Sequence, residues 1–261
     1  MTCGRWTTCS LVTASTGVAG PLAFLDIYQC ARPGTGMPMK GSGQAAAWQE
    51  IDEFDGGTGW IAYPDERLQR ASHALVGEDG RYLVDPVAFD GIGEFLDERG
   101  GVAGIVVLLN RHKRDAAELA NRFEVPVYLP EFMDGVAREL DAPTEPLRRE
   151  LPGTEYGVHT VVDNPFWKEA ALYGEDSDTL VVPEALGTSS FFRTGDERLG
   201  VHPGLRLFPP RKLARLSPER VLVGHGPGIL DDASEALRDA VSGSRRRAPQ
   251  YYAGLAREFL G

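Results

Sequence analysis

Cysteine is nearly absent from this chain. Cys3, Cys9 and Cys30 are its only three. No disulfide framework and no thiolate-rich zinc site can therefore serve the rest. Lysine is scarce too, at Lys40, Lys113, Lys168 and Lys212. No apolar run approaches the roughly 20 residues of a bilayer-spanning helix, and the mildly apolar stretch Gly17–Tyr28 is broken by Gly20 and Pro21. Positive charge is in deficit: 38 acidic against 27 basic residues give a formal net charge of −11. That argues against nucleic acid or an anionic membrane as a partner. Gly91-Ile92-Gly93 lacks the third glycine of a dinucleotide fingerprint, and Ser189-Ser190 lacks the G-x-S-x-G setting of a serine nucleophile. A cytoplasmic location is expected.

What is present is the composition of an ordinary globular domain, 42% hydrophobic and 25% charged over 261 residues. Residues 1–44 stand apart. They are rich in Gly, Ser, Thr, Ala and Pro, with Asp26 the sole acid. They read as a poorly ordered extension ahead of a start at Met37 or Met39, followed by a single domain over 45–261.

The chain is organised around Ile105–Asp115, IVVLLNRHKRD. The β-branched apolar run Ile105–Leu109 predicts a strand buried on both faces. A basic turn follows, then a helix from about Arg114 that carries Leu119 and Phe123 at i, i+4. Ligands in α/β folds bind beyond the carboxyl ends of such strands, so chemistry is expected at this turn. Glu78-Asp79-Gly80 predicts a hairpin between Ala71–Gly77 and Arg81–Pro86. Further strands are predicted at Gly59–Tyr63, Val125–Leu129, Val158–Val162, Glu169–Tyr173, Thr179–Val182 and Val221–Val223. Helices are predicted at Gly91–Arg99, Glu131–Leu140, Arg211–Leu216, Asp231–Val241 and Tyr251–Leu260. The proline-rich stretch Asp141–Pro152 reads as a loop, and Arg245-Arg246-Arg247 as a solvated linker between the last two helices.

In order, SHALVGEDGRYLVDP (72–86), IVVLLNRHKRDAAELANRFEVPVYLP (105–130), ALYGEDSDTLVVPEAL (171–186) and VLVGHGP (221–227) resemble the metallo-β-lactamase superfamily. The resemblance implies an α/β fold, an αββα sandwich of two mixed sheets with outer helices. It also implies a hydrolase whose H-x-H-x-D-H turn, with later imidazoles and an acid, binds one or two ions of zinc, iron or manganese that supply the nucleophile.

The motif itself is altered. Placing Asp115 on its Asp puts Arg111 and Lys113 at the first two histidines and Ala116 at the third. His112 then falls one residue out of register, where it is read as a surface imidazole or a cleft acid/base. The histidine expected before Glu169–Tyr173 is replaced by Asp163-Asn164-Pro165-Phe166-Trp167, and His159 lies on the preceding strand. Glu184 stands for the bridging acid and His225 for the last ligand. Arginine has no lone pair to give a metal. The expectation is therefore a protein that has lost the dinuclear site and has no cofactor. In this reading Arg111 and Lys113 pair with Asp115 and Glu184 in place of the ions. Buried carboxylates left without their metal would otherwise repel. The partner is then a small anionic molecule or a protein, held by Arg111, Lys113, Glu184 and His202, with Asp115, His225 and His112 as candidate catalytic groups. The alternative is a hydrolase with one Zn or Mn ion on Asp115, Glu184 and His225. His73 is read as a core histidine.

Overall fold

A computed structural model describes residues 37–260 apart from Gln44 and Ala46. Most of the predicted extension over 1–44 therefore lies outside the described residues. From Pro38 the backbone is engaged: the Pro38 and Met39 carbonyls accept from the amides of Arg67 and Leu68.

The strands β1 (Gln49–Phe54), β2 (Gly57–Ile61), β3 (Ala71–Gly77), β4 (Gly80–Val84), β5 (Val102–Val106), β6 (Val127–Pro130) and β7 (Thr144–Leu147) form one sheet in sequence order. It is antiparallel from β1 to β4 and parallel from β4 to β7. A second sheet runs β13-β10-β9-β8, from β8 (Tyr156–Asp163), β9 (Lys168–Gly174), β10 (Thr179–Val182) and β13 (Arg220–Val223). The two-residue strands β11 (Leu186–Gly187) and β12 (Gly200–Val201) form a small ribbon.

Three buried clusters define the layers. Ile105 and Val107 pack with Leu119 and Ala120 of helix α2 (Ala116–Phe123) and with Phe95 and Leu96 of α1 (Ile92–Asp97). Val106 and Leu108, pointing the other way, meet Ala170, Leu172, Val181 and Leu222 of the second sheet. On the far side Leu180, Val182, Val221 and Val223 pack on Ala233, Ala236, Leu237 and Ala240 of α4 (Ala233–Leu260). The order is helix, sheet, sheet, helix, as the predicted αββα arrangement requires. The period-two alternation along 105–108 is what lets one strand serve two cores. Each fully buried aliphatic side chain there is worth about 1.5–3 kcal/mol of transfer free energy.

Three local expectations are corrected. Thr144–Leu147, read as loop, is the edge strand β7, where Pro146 is tolerated because an edge residue can do without its amide hydrogen. The two terminal helices are one, α4, so Arg245–Arg247 is helical rather than a linker; Pro249 lies inside it, exposed, and deprives the Arg245 carbonyl of its donor where water can replace it. Glu131–Leu140 contains a 3-10 turn at Glu131–Met133 and a short helix, α3 (Asp134–Ala137).

Candidate metal centre

The two main sheets are joined beside the carboxyl end of β5. Past Val106 the chain stays extended, the Leu108 carbonyl accepts from the Ala170 amide, and Leu109 bridges to Glu169. The chain then turns, with the His112 amide donating 2.8 Å to the Leu109 carbonyl. That turn swings His112 inward to 7% exposure. Of the two placements left open for His112, surface or cleft, the structure has the inward one. A one-residue shift of the H-x-H-x-D-H comparison, aligning imidazole with imidazole, puts His112 on the motif's second histidine. Asn110 then stands for the first and Arg114 for the Asp.

His112 is held from behind. Its Nδ1 lies 3.0 Å from Oδ2 of Asp85, a buried residue just past β4 whose Oδ1 accepts 2.9 Å from the Leu108 amide. His225, just past β13, is held in the same manner: its Nδ1 lies 3.1 Å from the Leu68 carbonyl. That carbonyl can only accept, so Nδ1 carries hydrogen and Nε2 a free lone pair. The Nε2 atoms of the two rings face each other at 3.3 Å. The Phe192 ring stacks on His225 at 5.2 Å. Both glycines around His225 are needed. A Cβ on Gly224 would lie 2.2 Å from the Pro183 carbonyl oxygen, and Gly226 has φ +91° and would meet Thr188 Oγ1 at 2.3 Å.

Glu184, beyond β10 and 5% exposed, completes the cluster. Its Oε1 is 3.9 Å from His225 Nε2 and 3.8 Å from His202 Nε2. Its Oε2 accepts 2.6 Å from Arg111 Nη2. His112, Glu184 and His225 each bring one donor atom within 4.8 Å of the others, the one such group of three among the described residues. His202 takes a different part. Its Nδ1 accepts from the Gly204 amide at 3.0 Å, so its Nε2 carries hydrogen and presents a donor toward Glu184.

Glu169, fully buried on β9, is the organiser that sequence reasoning missed. It accepts from the amides of Glu184 (2.9 Å) and Ala185 (2.8 Å) and from the Trp167 indole (2.7 Å). Trp167 in turn lies under the Arg111 guanidinium, 4.4 Å from ring centroid to Cζ, and edge-on to His202 at 4.7 Å. One carboxylate thus places the backbone of Glu184 and the aromatic seat of the cation that grips its side chain.

The other expected pairings are not formed. Lys113 extends to Glu139 at the surface, away from Glu184 and Asp115. Asp115 precedes α2 and accepts 2.7 Å from the Ala88 amide; the donors that the fold gathers are those of His112, Glu184 and His225, without Asp115. Arg114, at φ 41°, instead turns inward, its terminal nitrogens donating to the carbonyls of Ala71, Asp85 and Gly224. His73 is buried against Asp52 at 3.0 Å, as a core histidine, and His159 is exposed on β8.

Burial sets the protonation states. It lowers His225 to about 3 and His202 to about 4, and pushes His112 well below its ordinary value, with Arg114 adding to the effect. All three imidazoles are therefore neutral near pH 7. Burial alone would raise Glu184, but the charges of His202, Arg111 and His225 hold it down at about 2; the imidazoles carry charge only in acid, so near pH 7 Arg111 is the cation beside the Glu184 anion. Burial raises Asp85 and Glu169 to about 7.

No protein-family model matches the chain, and neither does any curated protein sequence. Solved structures do. The metallo-β-lactamase DIM-1, in a crystal exposed to ceftazidime, aligns at 12% identity over 77% of this chain and 100% of its own, with a TM-score of 0.54. The fold is that of the metallo-β-lactamases. VMB-1 aligns at 12% identity over 80% of this chain and 99% of its own, TM-score 0.53. The rubredoxin oxygen:oxidoreductase of Desulfovibrio gigas aligns at 12% over 77%, TM-score 0.55, and this chain spans 62% of its length. At such identities the metallo-β-lactamase likeness establishes architecture alone. Among the described residues no helix is long and apolar enough to cross a membrane.

Proposed function

We propose that this protein is a hydrolase of the metallo-β-lactamase fold that has lost the dinuclear centre and works with one divalent ion, Zn or Mn, held by His112, His225 and Glu184. The observation that carries this reading is the pair of opposed Nε2 atoms. With Asp85 ionised, both imidazoles donate from Nδ1 and their Nε2 lone pairs converge at 3.3 Å, which is repulsive unless something positive lies between them. A tetrahedral shell with metal–nitrogen bonds of about 2.0–2.1 Å places two nitrogens about 3.3–3.4 Å apart. Neutral imidazoles and an ionised carboxylate are the protonation states that ligation needs. The donor set therefore fits the group. Two histidines and a glutamate leave a coordination position open, as a catalytic rather than a structural site requires.

When bound, the ion supplies Lewis-acid polarisation of a carbonyl or phosphoryl oxygen. The chain's own residues do the rest. Asp85 and the Leu68 carbonyl fix the two rings, and Glu169 fixes Glu184. Arg111 keeps Glu184 ionised. Its Nη1 makes only a 3.4 Å contact with the Phe166 carbonyl, and the side chain is partly exposed, so this edge can receive a substrate carboxylate or phosphate. His202 offers its Nε2–H to developing negative charge.

A second reading is favoured by one observation. The 2.6 Å Arg111–Glu184 pair already neutralises the acid, as in a metal-free protein that binds a small anion or a protein partner. A proton shared between His112 and His225, available when Asp85 is protonated, would then replace the ion. Elemental analysis of protein purified without chelator separates the two. The first reading expects one equivalent of zinc or manganese, lost in His112→Ala and His225→Ala variants. Metal-free protein that takes up no ion on titration would leave the second.

A further inference from the structure

A second place on the molecule gathers charge against the trend of the whole. Arg238, Val241, Ser242 and Arg245 fall at i, i+3, i+4 and i+7, one stripe of α4. The stripe faces the segment around the 3-10 turn Leu213–Arg215, and between them lies a cavity of about 470 Å³ lined also by Arg211 and Ala214. Three guanidiniums therefore border one cavity on a chain of formal charge −11.

None of the three makes an ion pair with a described residue. Among the described residues Arg238 reaches only the Ser217 hydroxyl, at 3.3 Å, and Arg245 donates from Nε to the Leu207 carbonyl, at 2.6 Å, with no hydrogen bond from its terminal nitrogens. Of the acids of α4 near the stripe, Asp239 is already taken by Arg247 in a two-oxygen pair at 2.7 Å, and Glu235, one turn before Arg238, makes no ion pair among the described residues. Like charges brought together without counter-ions destabilise the fold. An anion between them would reverse the sign of that contribution. Guanidinium forks match phosphate oxygens two at a time, and Ser242 adds a hydroxyl donor. Next to the lining residue Pro209 stands a large exposed aromatic: Phe208 is 76% exposed, with the Arg245 Cζ 5.8 Å from its ring centroid.

We infer that this cavity binds a small molecule bearing a di- or polyphosphate, with the phosphates between Arg211, Arg238 and Arg245 and any ring or apolar part against Phe208. The site shares no residue with the His112–Glu184–His225 cluster and does not depend on whether that cluster holds an ion.

The test is isothermal titration of the full chain with inorganic pyrophosphate at fixed ionic strength. A site with Kd below about 100 μM is expected, weakened at least about tenfold in an Arg238→Gln/Arg245→Gln double variant and still present in Arg111→Ala, which removes any separate binding at Arg111. The substituted positions are exposed on the helix, and a thermal melt confirms that the variant is folded. ADP should bind at least as tightly as pyrophosphate. Absence of pyrophosphate binding, binding indifferent to the double variant, or binding lost with Arg111 would each overturn the assignment. So would adsorption to phosphatidylglycerol vesicles in the absence of pyrophosphate binding, which would make the patch a membrane surface instead.

Discussion

His112 and His225, 113 residues apart in sequence, present their Nε2 atoms to each other at 3.3 Å with both Nδ1 atoms anchored from behind. Neither ring can turn away without giving up a buried hydrogen bond. The arrangement is a preformed claw closed on one side by Glu184, and the predictions below follow from how its parts are held.

Glu169 accepts three N–H donors while fully buried. A glutamine there keeps the shape but aims an NH₂ at donors. Glu169→Gln should cost about 2–4 kcal/mol of stability, since buried donors lose their acceptor. It should also weaken metal binding about tenfold or more by releasing the Glu184 backbone. Chemical denaturation and zinc titration read the two effects separately. An unchanged metal affinity in a destabilised variant would reduce Glu169 to a structural role.

Arg111 and Lys113 should differ sharply. Arg111 pairs with a buried carboxylate, whereas the Lys113–Glu139 pair is surface-exposed. In metal-free protein, Arg111→Ala should destabilise by about 1–3 kcal/mol because it strands the Glu184 charge. Lys113→Ala should stay within about 0.5 kcal/mol. Equal effects in urea melts would contradict the placement of Glu184.

Stability should fall in mild acid. His202 and His225 have folded-state values of about 4 and about 3, below the ordinary 6.5. The unfolded chain therefore binds more protons, and the stability that these rings contribute is complete above pH 6.5. It is lost as pH falls toward 4 and then 3, by a few kcal/mol in total. Asp85 runs the other way. Raised from 3.8 to about 7, its contribution is complete below pH 3.8 and fades as pH rises through 7. A His202→Gln variant should lose stability less steeply between pH 6.5 and 4 than the parent. Parallel denaturation curves across that window would show that His202 is not held neutral by burial.

Much of the architecture is legible in the sequence because it rests on periodicity. The alternation of Ile105–Leu108 between two cores, the Asp-Gly hairpin before β4 and the glycines around His225 all carry their geometry locally. The site was legible only in part. Glu184 and His225 come together, and Arg111 pairs with Glu184 as expected. Anchoring the turn on Asp115 gives a register one residue away from the one in which His112 faces inward. The backbone instead gives that inward position to Arg114, in the left-handed region at φ 41°, and turns His112 into the core. Glu169 carried no signal, since an acid at the buried end of an apolar strand becomes meaningful only when the second sheet brings the Glu184 amide to it. The continuity of α4 was hidden by Pro249, whose cost is small on an exposed face.

Cobalt(II) titration of metal-free protein, followed by visible absorption, examines the claw most directly. The account predicts saturation at one equivalent with an intense band of tetrahedral type. The band should be abolished in His112→Ala and His225→Ala and retained in Asp115→Ala. No spectral change, a weak octahedral-type spectrum indifferent to His112, or saturation at two equivalents would contradict a single-ion centre on His112, Glu184 and His225.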